Sequence, residues 1–485
     1  MDFEKVCERL KDDPEVLAFV IKIYTENLEL KNYCAKLEAR IAELERQLNQ
    51  NSKNSSRPPS TDGFKRVPKK RKKGENPPGG KKGHKGHTLE FTNNPDFTKN
   101  HRPSVCENCG ASLDGIKPAS VEKRQVTEIS LPTMYVTEHV GESVICSHCG
   151  HYNAAPFPAH VKSPLQYGPI IRALMVYLCI YQLIPYERVS EFFSDVYGRG
   201  PTKGTIISAC SDCFKKLKDT EEEIKQELLK EHVLHADETG MQVNGKREWA
   251  HTVSNARLTY YEHHKKRGSE AIEDMGIIPK FNGVLVHDCW SPYFRYTCTH
   301  ALCNAHLIRE LEGISENYDQ KWSGNMQDLL IEMLKEVYGC STDVTSLAPD
   351  RIRYYEEQYD IILRLGDTEN PVSENPEQKK KRGRPKKTKA QNLIERFKTH
   401  KEGILLFIKD FRVPFTNNQA ERDVRMIKVQ QKISGTFRSL QGANNFFRIR
   451  GYISTVKKNN VPVLKSIKGA FDGNPFSPSK LSQLT

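Results

Sequence analysis

Three acidic residues stand where converging carboxylates could do chemistry. Asp237 lies in His235-Ala236-Asp237-Glu238-Thr239, Asp288 in His287-Asp288-Cys289-Trp290, and Glu421 in Asn417-Asn418-Gln419-Ala420-Glu421-Arg422. Carboxylates from separate elements can hold Mg²⁺ (or Mn²⁺). Two such ions about 3.5–4 Å apart clamp the attacking and leaving oxygens of a phosphodiester in line. Taken singly, each acid reads more plainly as a cap or a turn residue, so the case rests on the three together. A second set is Cys106-Glu107-Asn108-Cys109-Gly110 and Cys146-Ser147-His148-Cys149-Gly150. Two such knuckles are the usual way to offer a tetrahedral Zn²⁺ four thiolates, here Cys106, Cys109, Cys146 and Cys149. A structural zinc with no open position fits this spacing better than a redox dithiol. The chain has 13 cysteines, an odd number, which suits thiolates in a reducing compartment better than a disulfide framework.

The elements that must carry the acids can be read from periodicity. Residues 233–236, 248–253 and 258–262 read as strands, 269–275 as a short helix, and 283–287 as a fourth strand ending at Asp288. Helices follow from 304, and 417–434 reads as a late helix carrying Glu421. In a ribonuclease-H-like sheet the first and fourth strands are neighbours, so Asp237, expected at the end of the first strand, would face Asp288. The fold class expected is α/β, with a ribonuclease-H-like catalytic core over 231–455.

Other segments have different composition. Val16, Ile23, Leu30, Leu37 and Leu44 alternate with Val20, Asn27, Cys34, Ile41 and Leu48 at intervals of three and four. That heptad predicts a coiled-coil dimerisation helix over 1–50, with Asn27 as a register pin in a parallel homodimer. Residues 51–100 read as a basic linker too poor in apolar residues to fold alone. Residues 101–160 form the zinc-binding domain, in which 121–140 alternates like a strand pair. Residues 161–230 read as three helices resembling a helix-turn-helix, with Lys203 near the recognition helix's start. A polar insertion near 366–390 contains Lys381-Arg382-Gly383-Arg384-Pro385. Its Arg382 and Arg384 flank a Gly as in an AT-hook lying in a narrow minor groove. Arg422 and Arg425 share the helix of Glu421 and suit phosphate contacts, although a solvated helix face explains them as well. Residues 456–485 read as a C-terminal tail.

The chain carries a formal charge of +13, and its basic residues are clustered, which points to a polyanionic partner. The N-terminus lacks an apolar export segment, and the most apolar stretch, 170–184, is interrupted by Arg172 and too short to span a bilayer. The expectation is a cytoplasmic, nucleoid-associated protein without a membrane partner.

These motifs, with Asn54 to Ser60, Gly80 to His87, Tyr186-Glu187-Arg188 and Cys303-Asn304-Ala305-His306, resemble the insertion sequence 66 family of bacterial transposases. The resemblance runs from the heptad to about Ile467, and Asn417 to Arg422 is its most specific part. It implies an Asp-Asp-Glu triad of Asp237, Asp288 and Glu421, a ribonuclease-H-like core and a zinc-binding domain. The implied activity is metal-dependent cleavage and strand transfer at the terminal inverted repeats of a mobile element. The partners implied are those repeats and target DNA, with accessory proteins of the same element as a further class. Thr416 departs from the pattern, since many members carry Asp there. For Cys298, His300, Cys303 and His306 a structural or DNA-positioning role ranks above a second zinc. Two other readings remain beside the transposase: a non-catalytic, transposase-derived repressor, and a structure-specific nuclease.

Overall fold

A computed structural model of the chain describes residues 3–55, 91–128, 133–158, 160–371 and 387–481. After a short helix, α1 (Phe3–Arg9), the heptad segment forms one continuous helix, α2 (Pro14–Leu48). Asp13 caps it by accepting the amide of Val16 at 3.3 Å, and Pro14 supplies a preset φ at its first turn. None of its residues is buried, and Val16, Ile23, Leu30, Leu37 and Leu44 all lie open along it.

The two knuckles fold as matching tight turns. The amide of Cys106 donates to Ala111 and that of Gly110 to Cys106, while Cys146 and Gly150 repeat the pattern with His151 and Cys146. Gly110 and Gly150 have φ of 73° and 72°, a left-handed conformation that glycine adopts without a Cβ penalty. The only strands described here, β1 (Ser143–Ile145) and β2 (Tyr152–Ala154), flank the second knuckle. No described residue between 121 and 140 is in a strand, which corrects the strand pair expected there. Its Val121, Val126, Tyr135, Val136 and Val140 are all exposed, so these side chains give no buried face to hold a ladder.

From residue 169 the chain is densely packed. Four helices come first: α3 (Pro169–Val176), which runs into a π turn at Tyr177–Tyr181, then α4 (Tyr186–Tyr197), α5 (Lys203–Lys216) and α6 (Lys218–Leu229). A sheet follows, with β3 (Val233–Val243), β4 (Lys246–Ser254) and β5 (Thr259–His264), the short helix α7 (Ser269–Met275), then β6 (Val284–His287) and β7 (Thr299–Leu302). The sheet order is β5-β4-β3-β6-β7: the first three strands form an antiparallel meander, and β6 and β7 run parallel to β3. An all-helical unit of α8 (Asn304–Tyr318), α9 (Lys321–Gly339), α10 (Pro349–Glu369), α11 (Lys389–Thr399) and α12 (Lys401–Lys409) has its own core around Trp322, Tyr355, Tyr359 and Phe397. The chain then returns to the sheet as α13 (Asn418–Ser434), α14 (Leu440–Lys458) and α15 (Val463–Phe471).

Three expectations change on this scaffold. Asp237 is not at the end of its strand, because Asn244 and Gly245, with φ of 50° and 75°, make a tight hairpin that extends β3 to Val243. The helices between 161 and 230 do not stand apart from the sheet. Phe193, Ile206, Cys210 and Cys213 share one apolar core with Met241, Val243, Phe446 and Ile453. The segment read as a tail contains α15, whose Ile467 and Ala470 complete that same core. β7 was not expected at all.

The arm carried by α2 is tied to the helical unit at its end. Asn54 is buried, and its Nδ2 donates to Glu316 on α8 and to the carbonyl of Asn49, both at 3.0 Å. Gly313 lets the Asn54 backbone approach α8, since any Cβ there would collide with the Asn54 carbonyl.

Candidate active site

Registry brings two of the acids side by side. In the parallel ladder Val233 pairs with Val284 and His235 with Val286, so the next same-face positions are Asp237 on β3 and Asp288 just past β6. The β6–β7 register pairs Val286 with Ala301 and His287 with Leu302, which continues the line to Cys303. Asp237, Asp288 and Cys303 thus form one row on one face across three adjacent strands spaced about 4.8 Å apart. Residues of the opposite parity, Leu234, Ala236 and Leu285, fill the core on the other side with Ile224, Leu228 and Ile272. α13 crosses the row, and its Glu421 carboxylate lies 4.0 Å from the Cys303 sulfur and 3.6 Å from His306 Nδ1.

Asn417 anchors that helix. Its buried side chain donates from Nδ2 to the Ala236 carbonyl at 2.7 Å and meets His235 Nδ1 at 2.9 Å through Oδ1. Its backbone amide donates to the Cys303 sulfur at 3.1 Å. One residue therefore ties β3, the start of α8 and the start of α13 together. Lys428 on α13 donates to the Gly240 carbonyl, and Tyr261 on β5 donates to the Asp423 carbonyl at 2.9 Å, so the helix is held along its length.

The electrostatics of the row are dominated by burial, with like charge added at Asp237 and the positive charges of Arg267 and Arg396 partly offsetting it at Asp288. Burial first, then the neighbouring charges of Glu238, Asp288 and Glu421, push the Asp237 carboxyl well above its ordinary value. Burial likewise raises Asp288. Asp237 accepts the Glu238 amide at 2.8 Å and Asp288 accepts the Trp290 amide at 3.1 Å. Among the described residues no Lys or Arg nitrogen lies within ion-pair distance of Asp237, Asp288 or Glu421. Among the described residues the oxygens of Asp237, Asp288 and Glu421 are not gathered within 4.8 Å of one another, so the three acids share a region of the sheet without forming a closed ligand set.

On the opposite face of β3, Glu238 is buried and held up at about 7 by burial and by Asp288. It accepts from Tyr293 Oη at 2.8 Å and from Arg267 Nε and Nη2 at 3.0 and 2.5 Å. Arg267 in turn lies over the rings of Trp249 and Trp290, 5.0 and 4.4 Å from their centroids, which braces the turn after Asp288.

The other candidates are distributed as follows. Cys303 and His306 reach Glu421, whereas His300 sits behind the row, its Nδ1 3.1 Å from His287 Nε2, and Cys298 lies in the core with Tyr293. Arg422 and Arg425 are exposed on α13, Arg425 one turn beyond Glu421. Lys203 is exposed at the start of α5 and paired with Glu187 at 3.0 Å. Arg382 and Arg384 lie outside the described residues. In each knuckle the first cysteine faces amides, those of Cys109 and Asn108 toward Cys106 and those of Cys149 and His148 toward Cys146, and its thiol is lowered by them. The four thiols are not gathered into one cluster; the group of possible ligands brought within 4.8 Å among the described residues is Cys303, His306 and Glu421. Asn417 and His235 were not singled out in the sequence. An Asn directly before a helix and a His two residues from a strand Asp were the available signals.

Comparison with known proteins identifies the family. Residues 164–445, more than half of the chain, match the transposase IS66 family. The chain belongs to that family. Membership implies a DNA-binding transposase and suggests a divalent metal. Residues 11–90 also match a family of unknown function. An uncharacterized protein of Sinorhizobium fredii, y4hP, is 22% identical over 396 residues, covering 74% of this chain and 68% of that protein. No described helix of the transposase is long and apolar enough to cross a membrane.

Proposed function

We propose that this transposase cleaves DNA at the terminal inverted repeats of its element and joins the freed ends to target DNA, with Asp237, Asp288 and Glu421 as its Asp-Asp-Glu triad. The observation that carries the reading is the register of β3 and β6, which runs on toward Asp237 in β3 and Asp288 just past β6, with Glu421 on α13 beside Cys303 and His306. A five-stranded order of β5-β4-β3-β6-β7, antiparallel then parallel, supports a ribonuclease-H-like core. Mg²⁺ or Mn²⁺ held by the three carboxylates would activate the attacking water or 3′-hydroxyl and stabilise charge on the phosphate. The chain's own residues do the positioning: Asn417 holds α13 to β3, while the Asp288 loop is braced through Arg267. Exposed Arg422 and Arg425 suit the DNA backbone beside the cleaved bond.

Purified protein tests this on plasmid DNA carrying the element's ends with Mg²⁺ or Mn²⁺. Asp237→Asn, Asp288→Asn and Glu421→Gln should each reduce end cleavage to background while DNA binding persists. Normal cleavage by Asp288→Asn would sink the triad.

Cys106, Cys109, Cys146 and Cys149 would hold one structural Zn²⁺ in a ribbon, and the amides aimed at Cys106 and Cys146 are the kind that stabilise bound thiolate. The open heptad seam of α2 supports a parallel coiled coil between two copies, pairing the two DNA ends, with Asn27 setting register. Full-length protein should sediment as a dimer and a chain lacking residues 1–50 as a monomer; an unchanged dimer would place the contact elsewhere.

A further inference from the structure

The donor atoms at one end of the row differ in kind from those at the other. Asp237 and Asp288 offer only carboxylate oxygen, the chemistry of a hard ion such as Mg²⁺. Around Glu421 the donors are a thiol, an imidazole and a carboxylate, and their ligand atoms lie within 4.8 Å of one another. Cys303 caps α8 and His306 is three residues on, so both side chains issue from one helical turn toward α13. His306 Nδ1 is buried, hydrogen-bonded to nothing in the described structure, and faces the Glu421 carboxylate at 3.6 Å. A buried imidazole nitrogen left open toward a carboxylate and a sulfur is an orphan that a cation would satisfy.

We propose that Cys303, His306 and Glu421 form a three-ligand site for a transition-metal dication of the zinc or cobalt class. It shares Glu421 with the proposed triad, and in that respect it rests on the triad reading. A mixed S, N, O set prefers borderline-soft ions and rejects Mg²⁺, which keeps its oxygen ligands. Three protein ligands would leave a fourth position open, as in catalytic rather than structural zinc sites. The site thus has a hard half at Asp237 and Asp288 and a soft half at Cys303 and His306, with Glu421 between them. The Asn417 amide that donates to the Cys303 sulfur helps orient the thiolate toward that ion.

Cobalt titration of the full chain tests the proposal. Protein carrying Cys106→Ser and Cys146→Ser, in the exposed knuckles, is stripped with chelator and titrated with Co²⁺ in excess Mg²⁺. One equivalent should bind, with a near-ultraviolet thiolate-to-cobalt band. His306→Gln should weaken binding by about a hundredfold or more, and Cys303→Ser should abolish the band. Circular dichroism checks that each variant is folded, and His306→Gln serves if Cys303→Ser is not. Cobalt uptake unaltered by His306→Gln, or no cobalt uptake by the knuckle-substituted protein, overturns the site. Asp288→Asn separates the two readings: it should lose cleavage and keep the cobalt. Cleavage retained there faults the triad alone, and absent cobalt binding with cleavage lost faults the soft site alone.

Discussion

The knuckle segment and the acid row, in the reading proposed above, would hold a metal by opposite means. In the knuckles each pair of ligands comes from one four-residue turn, and the segment is exposed and shares little with the main core. In the row the ligands come from β3, β6, α8 and α13, and a parallel register, a helix cap and one buried Asn bring them together. The difference teaches where the free energy for assembling each site comes from. A local turn sets two thiols close at little entropic expense and needs the ion to join the pairs. In the row, apolar cores on both faces of the sheet fix the strands that carry the acids, and burial with neighbouring negative charge raises the Asp237 carboxyl.

The largest effect that would break this contrast concerns zinc. Structural zinc in small domains is worth roughly 10–16 kcal/mol of folding free energy. Cys106→Ser should therefore lower zinc by one ion per chain and open residues 101–160 to proteolysis, while the melting of the main core stays unchanged. Unchanged zinc content, or a core that melts with the knuckles, would erase the distinction.

Asn417 offers the next largest effect. Asn417→Ala removes two side-chain hydrogen bonds and leaves the Ala236 carbonyl and His235 without partners. A loss of about 2–3 kcal/mol is expected, at roughly 1 kcal/mol per bond plus the desolvated groups left behind. End cleavage should fall by more than stability alone explains, since α13 carries Glu421. Denaturant melts and cleavage on the same preparation decide it, and a stable, fully active variant would remove Asn417 from the positioning role.

The smallest effect sharpens the comparison through pH. Glu238 is raised from an ordinary 4.5 to about 7, so the folded chain holds a proton that the unfolded chain has released. Its contribution is present below about 4.5 and is lost as pH rises through about 7. Buried His251 and His287, lowered to about 4 and 3, slope the opposite way as pH falls below their ordinary 6.5, so the difference between two proteins is the useful measurement. Metal-free Glu238→Gln should gain stability relative to wild type between pH 4.5 and 7. A difference that stays flat across that window would show that Glu238 carries no such shift. Cys106→Ser should show no comparable slope, because no buried acid depends on the knuckles.

Much of this protein was readable from local pattern. The heptad spacing marked α2 as one long helix, the Cys-x-x-Cys-Gly spacing marked two equivalent turns, and 269–275 and 417–434 matched α7 and α13 nearly to the residue. These features depend on side-chain period, glycine φ and helix caps, which act over a few residues. Alternation misled at 121–140, where the alternating valines described are exposed, and β7 went unread because Thr299–Leu302 lacks the apolar run that Val284–Val286 gives the equally short β6. Long-range pairing explains the rest. That Asp237 stands level with Asp288 and Cys303 follows from strand register, and register depends on which apolar faces find each other across the sheet. That Cys303 and His306 meet Glu421 depends on α13 docking through Asn417, a contact between residues 114 positions apart in the chain. The residue types in the chain were enough to name the acids, but their distances, their shared charge and their sulfur and imidazole neighbours come from packing that no local spacing encodes.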